Sequence, residues 1–196
     1  MKVIIKNIKY IIIFLLLLNF LLTTCREGNE ELSLDNPINT LRTFVGIHNH
    51  HNNPDAVSDL NKTLADDLIF HFYPSDVGKK AKDGYIVPES WDKYEFFTLA
   101  GNMLKNAYSI NLSVSGYENG SYNQSNTSYL CITDFDLSVY VSSSDNYEAK
   151  GQVEWILDLC DDGKWRISTI CDYTTPHTQS YNIKYLSWHD ILLLFK

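Results

Sequence analysis

Between residues 149 and 173 the chain reads AKGQVEWILDLCDDGKWRISTICDY, two alternating apolar runs on either side of Asp161-Asp162-Gly163. A three-residue loop with glycine in the left-handed position joins antiparallel strands and fixes their register. That register sets Cys160 opposite Lys164, Leu159 opposite Trp165, Leu157 opposite Ile167, Trp155 opposite Thr169 and Val153 opposite Cys171. These pairs share one apolar face. The reverse face sets Asp158 against Arg166 and Glu154 against Ile170, an exposed and charged surface. A chain with this hairpin must close a sheet over an apolar layer on one side only.

Upstream, the periodicity supplies that layer. Asn36-Pro37 is a helix start, an N-cap side chain followed by proline at the first helical position. Ile38, Leu41, Val45 and His48 follow at helical spacing, with Phe44 widening the stripe, and the helix stops in the polar HNHHNN stretch. Asn53-Pro54 repeats the start signal for a shorter helix carrying Val57, Leu60 and Leu64. DDLIFHFYPSD changes to a period of two, with Leu68, Phe70 and Phe72 on one face and Ile69, His71 and Tyr73 on the other. A third helix is expected from Ser90, its stripe formed by Phe96, Ala100, Met103 and Ala107 with Phe97 and Leu104 beside it. Strands follow at 109–116 and 129–141, the second with Thr133, Phe135, Leu137 and Val139 on its core side. There is no internal repeat and no second domain.

The first 24 residues carry Lys2, Lys6 and Lys9, then an apolar run at 11–22 broken only by Asn19. The run is short for a bilayer span and reads as an export signal. Leu22-Thr23-Thr24-Cys25 resembles the lipobox of bacterial lipoproteins, with Thr24 where a smaller residue is usual. The resemblance implies lipidation of Cys25 and a membrane-anchored, extracytoplasmic protein of the bacterial cell envelope. Residues 25–35 are a polar tether, and 36–196 form one domain with an apolar tail at Ile191 to Phe195. Removing residues 1–24 takes away three lysines and no acids, so the net charge moves from -8 to -11. That acidity argues against nucleic acid as a partner.

Cys131, Cys160 and Cys171 have neither the spacing of a zinc knuckle nor that of a redox pair. Cys160 and Cys171 fall on opposite faces of the hairpin, so no bridge is expected between them. No glycine-rich phosphate loop or HExxH motif is present, and no cofactor or metal is expected. His48, His50 and His51 read as a solvated helix end.

Helix, helix, strand, long helix and then strands ending in DGKWRIS form an order that resembles the NTF2-like (SnoaL-like) superfamily. The likeness rests on PINTLRTFVGIHNHHNNPDAVSDLNKTLADDLIFHF, PESWDKYEFFTLAGNML and GQVEWILDLCDDGKWRISTICDY, most of residues 37–174. It implies an α+β cone in which three N-terminal helices are enclosed by a curved antiparallel sheet. The lipobox, the FHFYP strand and the PESW segment look most like exported bacterial lipoproteins of that superfamily. Its members include isomerases, dehydratases, binding modules and oligomerisation domains, so fold alone leaves the activity open.

The expectation is a binding or assembly module whose pocket is lined by Phe70, Phe72, Trp91, Phe97, Trp155 and Trp165, suited to a small apolar or aromatic ligand. One alternative is a small acid–base enzyme of the isomerase or dehydratase type. The resemblance implies an Asp–His or Asp–Tyr pair inside the cone, for which His71, Tyr73 and Asp172 are the candidates, the last provided that a bulge turns it inward. Another alternative is a homodimer formed through the outer sheet face around Ile156 and Ile170, with no pocket at all.

Overall fold

The computed structural model describes residues 32–80, 84–174 and 184–196; the expected export signal, Cys25 and most of the expected tether lie outside them. Helices α1 (Pro37–Asn49) and α2 (Ala56–Thr63) precede strand β1 (Leu64–His71), a short β2 (Ser90–Asp92) and the long helix α3 (Lys93–Asn106). Strands β3 (Ser109–Ser115), β4 (Ser121–Tyr122), β5 (Ser128–Tyr140), β6 (Asn146–Leu159), β7 (Trp165–Thr174) and β8 (Lys184–Tyr185) follow, and helix α4 (Trp188–Leu193) ends the chain. Among the described residues, no helix is long and apolar enough to cross a membrane.

The helix starts obey local chemistry. Asn36 accepts the Asn39 N–H at 2.9 Å and Pro37 opens α1. At the second Asn-Pro pair, Asn53 accepts through its side chain from Asp55 and through its carbonyl from Ala56. The pair therefore makes a turn, and α2 begins at Ala56. Asp92 caps α3 through the Glu95 N–H at 2.9 Å, so residues 90–92 are strand and not the first turn of that helix. The buried face of α1 carries Thr40, Leu41, Phe44, Ile47 and His48, rotated from the expected stripe so that Ile38 and Val45 are only half-buried.

The sheet runs β2-β1-β7-β6-β5-β3, with β4 beside β5 and β8 beside β6. The expected antiparallel sheet is found, with two parallel joins besides, β1 to β7 and β8 to β6. With β6 already on one edge of β7, β1 takes the free edge, where the two chains run the same way. The hairpin itself closes as its turn residues require. Cys160 and Lys164 pair, and Gly163 has a φ of 75°. Arg166 faces Asp158 in the ladder, yet its guanidinium grips Asp162 at 2.6 and 2.9 Å and donates to the Lys62 carbonyl at 3.2 Å. This ties the turn to the end of α2.

Beyond Leu157 opposite Ile167 the register shifts. Ile156 pairs with Thr169, so Ser168 is one residue too many on β7. From there on the expected faces are exchanged. Ile170 and Asp172 point inward and are buried, while Thr169, Cys171 and Tyr173 turn outward. Two expectations are overturned by this single bulge: Cys171 is not in the core, and Ile170 is not available to an outer-face dimer. Ser168 donates to Asp158 at 2.5 Å, giving the displaced residue a partner.

Residues 33–196 are one compact unit whose interior is aromatic. Phe70 stacks on Trp91 and Phe96, and Phe72 meets Trp91 edge-on at 4.6 Å. Trp155 donates to Thr133 at 2.8 Å and meets Phe44 edge-on at 5.4 Å. Trp188, the first residue of α4, is fully buried among Phe44, Phe135 and Trp155. Trp188, Ile191 and Leu192 are thus the inner face of a helix seated against the sheet, while Leu193 and Leu194 of the apolar run are half-buried on its other side. Trp188→Ala removes a fully buried indole and should destabilise the domain by about 3–5 kcal/mol, measured by urea unfolding. The half-buried Leu193 replaced by alanine should cost clearly less.

Candidate functional site

Asp172 reaches the interior because of the bulge at Ser168, and its surroundings are built from the two ends of the β7–α4 connection. The Thr174 N–H and hydroxyl both donate to Asp172 Oδ1, at 2.9 and 2.5 Å. The Thr174 hydroxyl oxygen in turn accepts the Trp188 N–H at 3.2 Å, which docks the start of α4 onto the strand. His189, also buried, then places Nδ1 3.6 Å from Asp172 Oδ2. Neither atom has a hydrogen-bond partner. On its other side His189 Nε2 lies 3.1 Å from Ser187 Oγ, and the Ser187 hydroxyl donates to Asp190 at 2.8 Å. With that proton committed to Asp190, Ser187 accepts from an Nε2–H of His189. Asp172 Oδ2 and His189 Nδ1 then face each other as two acceptors with no hydrogen bond between them. The Phe72 ring lies edge-on to the imidazole at 4.9 Å and keeps water from that flank.

His189 also forms part of the lining of a cleft of about 760 Å³ between residues 76–80 and 84–87 on one side and the outer side of α4 on the other. Its walls are Tyr85, Val87, Leu186, Leu193 and Leu194, and its rim carries Asp76, Lys79, Lys80, Asp190 and Lys196. A second, shallower groove of about 430 Å³ runs beside Asp66, Asp67, Ile69 and Phe97.

The candidates from sequence distribute unevenly over these features. His71 sits opposite Cys171 in the parallel ladder and, with Tyr73, lies on the outer face, so the pairing of His71 with Asp172 is corrected: the two point to opposite sides of the sheet. Tyr73 meets Tyr173 edge-on there. Asp172 is inside, but its histidine is His189, which sequence reading passed over. Phe70, Phe72, Trp91, Trp155 and Trp165 are core residues buried against one another, and none lines the cleft; Phe97 borders the shallow groove. The expectation of a pocket formed by these aromatics is corrected, because Trp188 and its neighbours occupy the space.

His48 and His51 are not a solvated helix end either. His48 is buried against the Phe44 ring at 4.4 Å, and Nδ1 donates to the Phe44 carbonyl at 2.8 Å. Nε2 of His48 and both nitrogens of His51 are buried without partners. Among the described residues, no three histidine, cysteine or acidic side chains converge as a metal site would require. Burial pushes the thiols of Cys131 and Cys171 up, to about 12 and about 11, so neither is a nucleophile at neutral pH.

No protein-family model and no curated protein matches the sequence. Solved structures do match the fold. A conserved protein from Planctomyces limnophilus shares 16% identity over 70% of this chain and 92% of its own, with a TM-score of 0.54. A ketosteroid isomerase-like protein from Erwinia carotovora atroseptica shares 11% identity over 76% of this chain and 100% of its own, with a TM-score of 0.50. A hexachlorocyclohexane dehydrochlorinase shares 12% identity over 75% and 90%, also with a TM-score of 0.50. This chain has the NTF2-like fold.

Burial holds the His48 imidazole neutral, its pKa lowered from 6.5 to about 4. Above pH 6.5 both the folded and the unfolded chain carry it uncharged. As the pH falls from 6.5 to 4 the unfolded chain takes up a proton that the folded one refuses, so stability falls, by about 3 kcal/mol at the lower limit. His48→Gln should therefore flatten the loss of stability across that window, read from urea unfolding at a series of pH values.

Proposed function

We propose that this protein is an exported, lipid-anchored NTF2-like module of the bacterial cell envelope that binds a small ligand in the cleft beside α4. The observation that carries the binding reading is the division of space. Trp188, Trp155, Phe44 and Phe135 fill the interior against the sheet, and a ligand-sized cleft with apolar walls and a polar rim opens on the other side of the same helix. The envelope reading is supported by the basic start, the apolar run and Cys25. Expressed in a bacterial host, the full chain should partition with membranes and carry acyl groups on Cys25 by mass spectrometry. Cys25→Ser should leave the membrane fraction without acylation. Acylation of the chain at another residue, or none, would remove the anchor from this reading.

The Asp172–His189 pair favours a second reading, proton transfer to and from a ligand at the cleft. His189 borders the cleft, and Asp172 behind it is held by Thr174, an arrangement able to hold and return one proton. Isomerisation of a β,γ-unsaturated ketone, followed by the absorbance of its conjugated product, tests this. The full chain should turn the ketone over, with His189→Gln and Asp172→Asn at least about 100-fold slower. No turnover by the full chain leaves the binding reading alone in place.

A further inference from the structure

The chain enters its domain at a fixed point. The Leu34 side chain is buried, its carbonyl accepts the Trp165 N–H at 2.9 Å, and the Ser33 carbonyl accepts the Thr43 hydroxyl at 3.4 Å. Asn39 closes the entry by donating to Ser33 Oγ and to Asp35, at 3.2 and 3.0 Å. This point lies at the β6–β7 turn, where Leu159 pairs with Trp165. An aromatic group surrounds it. Tyr122 meets the Trp165 ring edge-on at 5.8 Å and the Tyr129 ring at 4.9 Å, and the Tyr129 hydroxyl donates to the Tyr117 carbonyl. Tyr122 and Leu159 are 48% and 39% exposed, so large apolar surface faces outward beside the point of entry. Rings with an apolar body and a wet hydroxyl are the side chains that settle at a membrane–water interface.

From Cys25 to Ser33 the chain spans at most about 29 Å when fully extended. A compact unit of the length of residues 33–196 is about 40 Å across. With Cys25 held in lipid, a connection shorter than the domain cannot carry the entry point to the side away from the bilayer. We propose that the surface around Leu34, Tyr122, Leu159 and Trp165 docks on the lipid headgroups, with the cleft beside α4 away from them. The inference rests on the lipid anchor of the reading above and adds to it the face that meets the membrane. The distance of the cleft follows from β7, which rises about 20 Å from Trp165 to Asp172, the residue beside His189 on the cleft wall. The cleft is then filled from the aqueous side and not by lipid drawn from the anchoring bilayer. Asp35 and Asp161 flank the docking surface, which therefore fits zwitterionic headgroups better than anionic ones.

The test compares two added tryptophans. Tyr122→Trp places an indole beside the entry point. Tyr140→Trp, at a tyrosine 38% exposed, places one at the other end of β5, about 35 Å along the strand from Tyr129, the partner of Tyr122. Each full chain is produced in a bacterial host, checked by mass spectrometry for acyl groups on Cys25, and placed in phosphatidylcholine nanodiscs with and without brominated acyl chains. Bromine quenches only those indoles that reach the lipid. Tyr122→Trp should therefore lose most of the emission it adds to the parent, and Tyr140→Trp almost none. Both tyrosines are exposed, so circular dichroism of the variants should match the parent. Equal loss from the two variants, loss from Tyr140→Trp alone, or loss from neither in an acylated chain overturns the docking and leaves the anchor standing. A chain without acyl groups on Cys25 overturns both.

Discussion

Ser168 has no counterpart on the facing strand, and that one supernumerary residue decides which side of β7 every later side chain occupies. Without it Asp172 would be solvated and Cys171 buried, as strict alternation demands. With it a carboxylate is driven into an aromatic interior, where leaving it alone would be costly. The chain answers that demand at one oxygen. Thr174 donates to Oδ1 with both its backbone and its hydroxyl, while His189 Nδ1 stands 3.6 Å from Oδ2 without a hydrogen bond. The docking of α4 and the burial of Trp188 both follow from the way the chain accommodates Asp172.

What the sequence disclosed depended on how local the cause was. Asn36-Pro37 makes a cap and Asp161-Asp162-Gly163 makes a turn through contacts only a few residues apart, and both are where the pattern puts them. The alternation of β5 also survives in the structure, because its whole buried face from Tyr129 to Val139 answers one core. The parallel union of β1 with β7 has no local signature, since it joins segments from opposite ends of the domain. A bulge is equally silent. Nothing in RISTICD marks Ser168 as the residue to be skipped, and its partner Asp158 lies across the ladder.

The site was half legible for the same reason. Asp172 was visible as the carboxylate that a bulge would turn inward. Its histidine was not, because His189 lies on a helix of six residues, too short for an apolar period to declare itself. His71 looked better placed, one strand away and on a clear alternation, but the parallel register sets it opposite Cys171 and on the other face. The signal that points toward His189 is the tail itself: SWHDILLLF opens with an N-cap serine, and Ser187 does cap α4 through the Asp190 N–H.

The position of β7 between β6 and β1 bears on when this domain can form as well as on how. Phe70 waits for Ile170, and the inner wall of the domain is not closed until Trp188 has arrived. The contacts that define the fold are therefore distant in sequence, a topology that folds slowly and gives an emerging chain little native structure to settle into. Until β7 and α4 are made, neither the inner wall nor the surroundings of Asp172 exist, so the domain completes only when its last strand and helix join the rest.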